Sequence, residues 1–216
     1  MTDDEVVRHA LARQDGNFEV VVLNKRDSPL NASSAAVFGA PEDGCLVRVQ
    51  SRCVYGEIFG SNNCDCRAQL DMSIELVRRY GGVIVYLDQE GRGAGLVAKA
   101  RGYVTSYKTG LDSYASYRHQ GIPVDSRSYE DAAALLRHLE LTRVRLLTNN
   151  PAKVEGLRYA GIKVEHEPLL GDIMSEQALD YLAAKEENGH RFSAGSFDAE
   201  TGVVDAETSV VGATEL

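Results

Sequence analysis

"VIVYLDQEGRGAGL", residues 83–96, decides the fold. Val83 to Leu87 is an unbroken apolar and β-favouring run, short enough for a buried strand and too short for a core helix. A glycine-rich turn follows at once and opens a helix expected over roughly 96–108. Strand, tight turn and helix in that order make half of a parallel α/β unit. The pattern returns at "VRLLTNNPAKVEGLRYAG" (144–161). There 144–147 reads as a strand, Asn150 as an N-cap, Pro151 as the first helical residue and Gly161 as the residue past the end. "IKVEHE" (162–167) reads as another short strand.

Working outward, "FEVVVL" (18–23), "SAAVFG" (34–39) and "CLVRVQ" (45–50) are short β-rich runs, so the first third is sheet-like. Leu70, Ile74 and Val77 recur at helical spacing, and that helix closes at "YGG". The stretch 109–127 reads as a long, polar, tyrosine-rich connection. Ser128 and Asp131 match a capping box ahead of the stripe Ala132, Leu135, Leu136 and Leu139. A last helix is expected over 175–187, and the tail from 191 has no period and reads as disordered. The expected architecture is α/β (α+β). It is a mixed sheet with antiparallel N-terminal strands and helices packed around it, in a single catalytic domain. The expected segments are an N-terminal helical piece over 1–17, the domain over 18–190 and an acidic tail over 191–216.

The chain has 216 residues, 44% of them hydrophobic, enough for a core without staples. A formal net charge of -9 argues against a nucleic-acid partner. "MTDDEVVRHALARQDG" (1–16) carries acids first and no apolar core, so it reads as neither secretory signal nor transit peptide. No stretch is long and apolar enough for a membrane span. The expected location is the cytoplasm, where thiols stay reduced and a cysteine cluster points to metal or catalysis rather than a bridge.

Three of the four cysteines, Cys53, Cys64 and Cys66, fall within "CVYGEIFGSNNCDC" (53–66). Three ligands without an evident fourth suit a catalytic zinc site, whose open position takes water or substrate. Thiolates favour zinc over magnesium or calcium. Structural zinc and inert thiols are the competing readings, and Cys45 reads as a core thiol. Two loops suit an anion. "QEGRGAGL" (89–96) can present backbone N–H groups beside Arg92, and "TNNPAK" (148–153) combines a helix N-terminus with Thr148 and Lys153. Each is equally an ordinary connection. Asp125 and Arg127 in "VDSRSY" read singly as a loop ion pair, and Tyr103, Tyr107, Tyr114 and Tyr117 as packing and loop residues.

Taken in order, "RVQSRCVYGEIFGSNNCDCRAQL", "DQEGRGAGL", "VDSRSY" and "RLLTNNPAKVEGLRYAGI" resemble GTP cyclohydrolase II over roughly residues 18 to 190. The resemblance implies hydrolytic opening of the imidazole ring of GTP, with loss of C8 as formate and release of pyrophosphate. The product would be 2,5-diamino-6-(5-phosphoribosylamino)pyrimidin-4(3H)-one, on the way to riboflavin. It implies Zn2+ on Cys53, Cys64 and Cys66, Mg2+ with the triphosphate, and a homodimer. Arg127 matches the proposed nucleophile on the α-phosphorus, Asp125 its activating proton acceptor, and Tyr103 a tyrosine needed for ring opening. Transition-state stabilisation is the chemically milder role for Arg127. Arg48, Gln69, Glu90, Gly91, Arg92, Ser113, Thr148 and Lys153 fall on nucleotide-binding positions. The family's H-S-E ahead of the first zinc cysteine reads Gln50, Ser51, Arg52 here, its following threonine is Tyr55, and its glutamate in E-A-N is Ala115. Neither Arg52 nor Ala115 can accept from guanine's N1–H and amino group. A paralogue acting on another base, or stopping at the formylamino intermediate, is therefore the second reading. A zinc-stabilised nucleotide-binding module without catalysis is the third.

Overall fold

The computed structural model describes residues 5–14, 16–24 and 32–169. One seven-stranded mixed sheet runs through them, in the order β1-β2-β3-β5-β4-β6-β7. Its antiparallel half is β1 (Glu5–Arg13), β2 (Gly16–Asn24) and β3 (Ser33–Phe38), with β3 also antiparallel to β5 (Gly82–Leu87). The parallel half joins β5 to β4 (Leu46–Ser51), β6 (Arg143–Leu147) and β7 (Lys163–Glu167). The expected mixed sheet with an antiparallel start is what the chain forms.

Helices cover both faces, which is why the parallel strands read as continuous apolar runs. On one face Val47, Val49, Val83, Val85 and Leu146 pack under Leu135 and Leu136 of α5 (Glu130–His138) and Leu157 of α6 (Pro151–Tyr159). On the other, Leu46, Ile84 and Leu147 pack with Val77, Leu70 and Ile74 of α2 (Cys66–Tyr80). The odd–even alternation along β5 thus feeds two cores. Asn150 caps α6 by accepting from the Ala152 N–H at 2.9 Å, with Pro151 behind it. Three more helices serve the site: α1 (Val54–Glu57), α3 (Gly95–Thr109) and α4 (Ser113–His119).

Three expectations are corrected. Residues 5–13 form a strand and not a helix, because β2 offers a free edge along which all nine residues find partners, from Glu5↔Asn24 to Arg13↔Gly16. A helix there would have had no core to lie on. The connection 109–127 contains α4, started by Asp112, whose carboxylate accepts from the Tyr114 and Ala115 N–H groups at 2.6 and 2.8 Å. The capping box does not close: Ser128 Oγ accepts from the Glu130 N–H at 3.3 Å, while Asp131 accepts from Ser33 Oγ at 2.9 Å and ties α5 to β3. The expected helix over 175–187 and the tail from 191 lie outside the described residues.

Candidate active site

The strand ends of the parallel half set the site. The N–H groups of Arg52 and Gln89 both donate to the Leu87 carbonyl, at 2.9 and 2.8 Å, so the chain leaves β4 and β5 from one point. From there one segment becomes the thiol loop and the other the glycine turn that starts α3. Between them lies a cavity of about 450 Å3, walled also by α3, α4 and the 125–128 loop.

The sulfurs of Cys53, Cys64 and Cys66 all lie within 4.8 Å of one another, and Cys53 Sγ is 3.7 Å from Cys64 Sγ. Thiolates bound tetrahedrally to zinc at about 2.3 Å would sit about 3.8 Å apart, so the donor set fits that ion. Gly56 makes room for it: a Cβ there would stand 2.8 Å from Cys64 Sγ. Hydrogen bonds from Cys64 and Cys66, helped by the Lys99 ammonium, hold the Cys53 thiol far below the ordinary range, and the same bonds push Cys64 and Cys66 up. Cys45 is half-buried against the core, where desolvation pushes its thiol up to about 11.

Lys99 was not legible as a site residue, since a lone lysine on a helix normally marks a solvated face. Its Nζ donates to Cys53 Sγ at 3.2 Å and to Glu90 Oε1 at 2.6 Å, and lies 4.7 Å from the centre of the Tyr55 ring. Burial alone would lower Lys99, but Glu90 and the Cys53 sulfur outweigh it and raise it. Glu90 is itself buried and accepts from the Val54 N–H at 2.7 Å, the first amide of α1 after Cys53. One carboxylate therefore joins the glycine turn, α3 and the thiol loop.

Four amides of the glycine-rich turn are bonded within the fold. Gly91 N–H donates to Glu90 Oε1, Gly93 N–H to the Gln89 and Glu90 carbonyls, Ala94 N–H to Gly91 and Gly95 N–H to Glu90. What the turn supplies is direction and close packing. Arg92, at φ 55°, sends its guanidinium to Ser113 Oγ at 2.7 Å and to 3.7 Å from the centre of the Tyr114 ring. Gly93 lies so near the 125–128 loop that a Cβ would meet the Ser126 carbonyl at 3.0 Å. Gln89 Nε2 donates to the Ser128 carbonyl at 2.5 Å and Ser126 N–H to the Arg92 carbonyl at 2.9 Å, locking turn and loop together.

On that loop Arg127 Nε donates to both Asp125 oxygens, at 2.9 and 3.1 Å, and its Nη2 also reaches Oδ2. Burial would raise the Asp125 carboxyl, but the Arg127 bonds win and lower it. Tyr103, edge-on to Tyr55 at 5.4 Å, has its phenol pushed up to about 12 by burial and the nearby Cys64 sulfur. Arg52 lines the cavity and pairs with Asp88 at 2.9 Å.

The structure gathers Cys53, Cys64, Cys66, Glu90, Gly91, Arg92, Tyr103, Ser113 and Arg127 on one cavity, with Asp125 behind Arg127. Arg48, Gln69, Thr148 and Lys153 are not among the lining residues. Arg48 is buried and donates to Gln50 at 2.8 Å, Gln69 at 2.7 Å and the Leu147 carbonyl at 3.0 Å. Gln50 passes the chain to Glu57 at 2.7 Å, which also accepts from Tyr86 at 2.5 Å. Lys153 Nζ donates to the Val49 carbonyl at 2.6 Å, and Thr148 Oγ1 accepts from the Asn150 N–H at 3.1 Å, so the polar side chains Thr148, Asn149, Asn150 and Lys153 of "TNNPAK" are buried within the fold. These polar groups brace the strand ends under the thiol loop. Spacing along the chain could not reveal their burial.

Three clustered thiols, a donor set able to hold a metal ion, thus share one cavity wall with Arg52, Arg92, Lys99 and Arg127. The family model described as GTP cyclohydrolase II matches residues 4–168. A GTP cyclohydrolase-2 of Psychromonas ingrahamii is 38% identical over 160 residues, 72% of this chain and 80% of that one. One from Xylella fastidiosa is 44% identical over 155 residues, 70% of this chain and 38% of its own. One from Archaeoglobus fulgidus is 40% identical over 167 residues, 76% of this chain and 44% of its own. The match thus spans most of the Psychromonas relative but under half of the other two. The chain belongs to the GTP cyclohydrolase II family and is an enzyme of the hydrolase class.

Proposed function

We propose that this chain opens the imidazole ring of GTP by hydrolysis, releasing formate and pyrophosphate and leaving 2,5-diamino-6-(5-phosphoribosylamino)pyrimidin-4(3H)-one for riboflavin synthesis. One observation carries the reading: the three clustered thiols and the cationic side chains share a single cavity. Zinc on Cys53, Cys64 and Cys66 would supply a water of lowered pKa for attack at C8.

The chain's own residues do the rest. Arg92, turned by its left-handed backbone and steadied by Ser113 and the Tyr114 ring, offers a fixed guanidinium to the triphosphate, which carries Mg2+. Arg127 acts on the α-phosphorus. Its fork on Asp125 keeps it charged and oriented, which favours stabilising the phosphoryl transition state over nucleophilic attack. Tyr103 keeps its proton at neutral pH and is placed to donate to a nitrogen freed by ring opening. Lys99 shields the charge of the Cys53 sulfur, and Glu90 holds Lys99 there. Arg48, Gln69, Thr148 and Lys153 serve from beneath by fixing the strand ends. The exposed side chains Ile58, Phe59, Val97 and Val104 offer an apolar surface for a homodimer.

Arg52 beside the cavity favours a second reading, in which the same machinery takes a nucleotide other than GTP. Mass spectrometry of products from GTP, ATP, UTP and CTP separates the two. Formate loss from GTP alone supports the first reading, and turnover of another nucleotide in preference supports the second. Among the described residues no helix is long and apolar enough to cross a membrane.

A further inference from the structure

Five residues of α3 line the cavity: Lys99, Gly102, Tyr103, Ser106 and Tyr107. Their spacing of i, i+3, i+4, i+7 and i+8 is one face of one helix. That face changes character along its length. Lys99 bonds Cys53 at its inner end, and Tyr103 stands one turn further on, edge-on to the Tyr55 ring at 5.4 Å. Tyr107 comes a turn beyond, about 6 Å along the axis from Tyr103. It is 94% exposed although it lines the cavity, and Leu111 lines the same end. Tyr117 on the same cavity is 4% exposed and Tyr103 is half-buried, so Tyr107 alone of the three has its faces open. Tyr159 is as exposed, but it is not a cavity residue and carries no such meaning.

The cations divide the cavity in the complementary way. Arg92 and Arg127 belong to the turn and the loop that interlock, with Ser113 bonded to Arg92, and suit phosphates. The α3 face with Tyr107 and Leu111 suits a flat, weakly polar ring.

We infer that Tyr107 is a specificity-determining residue whose ring stacks on the aromatic base of the nucleotide while the phosphates lie toward Arg92 and Arg127. This rests on the nucleotide reading of the cavity and narrows it to ligands carrying a planar base. Stacking does not depend on guanine's hydrogen-bonding edge, so it accommodates a cavity wall in which Arg52 offers no acceptor.

The chain contains no tryptophan, so Tyr107→Trp installs a single reporter at the position in question. Titrating that full-length variant with GTP should quench its fluorescence saturably, and tripolyphosphate, which has the charge without the base, should not. In the otherwise unchanged enzyme, Tyr107→Ala should raise KM for GTP about tenfold with kcat within about twofold, and Tyr107→Phe should change neither. Circular dichroism of Tyr107→Ala should match the parent, as befits so exposed a side chain. Equal quenching by tripolyphosphate, no quenching by GTP or ATP, or an unchanged KM in Tyr107→Ala would overturn the assignment. Saturable quenching in a protein that turns over no nucleotide would sink the proposed reaction and leave the stacking contact standing.

Discussion

Lys99 donates a hydrogen bond to the sulfur of Cys53 at 3.2 Å from the same ammonium that pairs with Glu90 at 2.6 Å. The pair is nearly dry, with side-chain exposures of 13% and 6%. Removing one partner of a buried pair strands the other charge, at about 3 kcal/mol. Lys99→Met should therefore lower the urea midpoint of the full-length protein. It should also weaken zinc binding by about tenfold or more, as loss of a group that bonds a ligand does. Denaturation and chelator competition measure the two effects. An unchanged zinc affinity would show that the Lys99–Cys53 bond does not bear on the metal.

Gly56 is set by space and not by backbone angle. An alanine Cβ would come within 2.8 Å of Cys64 Sγ and 3.5 Å of Cys53 Sγ. Gly56→Ala should fold, because the thiol loop sits beside the sheet cores and not within them, yet bind zinc less tightly than the parent. Zinc content after dialysis, read beside far-UV circular dichroism, checks this.

The cysteines should separate by reactivity. Cys45 is held as a thiol, raised to about 11 by burial, whereas the other three form the cluster. Alkylation at pH 8 should leave zinc-loaded protein almost unlabelled. After chelation it should modify Cys53, the one thiol held low, faster than Cys45. Peptide mass spectrometry gives the order, and early labelling of Cys45 would contradict the assignment.

How much of this was legible in the chain follows from what each feature depends on. Strand β5 and α3 could be read because an apolar run, a glycine turn and a helical period are local signals. The strand β1 was not, because "EVVRHALAR" suits an amphipathic helix and an edge strand equally until β2 supplies partners. The thiols were found by count and spacing. Lys99 and Glu57 were not, since their partners come from distant segments: Cys53 lies 46 residues from Lys99 and Tyr86 lies 29 from Glu57. The glycine turn could be located from its local pattern, but only the fold shows that the amides of Gly91, Gly93, Ala94 and Gly95 are bonded within it. Tyr107 reads singly as a packing or loop residue, and only the fold shows it exposed at the cavity.

Asp125 and Arg127 give a pH signature. The Asp125 carboxyl is lowered in the fold, so its contribution to stability is present above the ordinary carboxylate value near 3.8 and is lost as the pH falls through the lower folded value. The stability gap between the parent and Asp125→Asn should thus be steady from pH 7 to 5 and close toward pH 3. Arg127→Lys, which keeps the charge and loses the fork, should reduce kcat for pyrophosphate release by about tenfold or more with little change in KM.

The proposed reaction on GTP needs the three-thiol cluster and the arginines of the cavity together. The direct measurement is formate and pyrophosphate released by the full-length protein from GTP with Mg2+, after zinc removal and again after zinc is restored, with bound zinc assayed in each sample. The expected result is a folded, inactive protein without zinc and release of both products in equal amounts once about one zinc per chain is regained. A zinc-replete, folded protein that releases neither would contradict it.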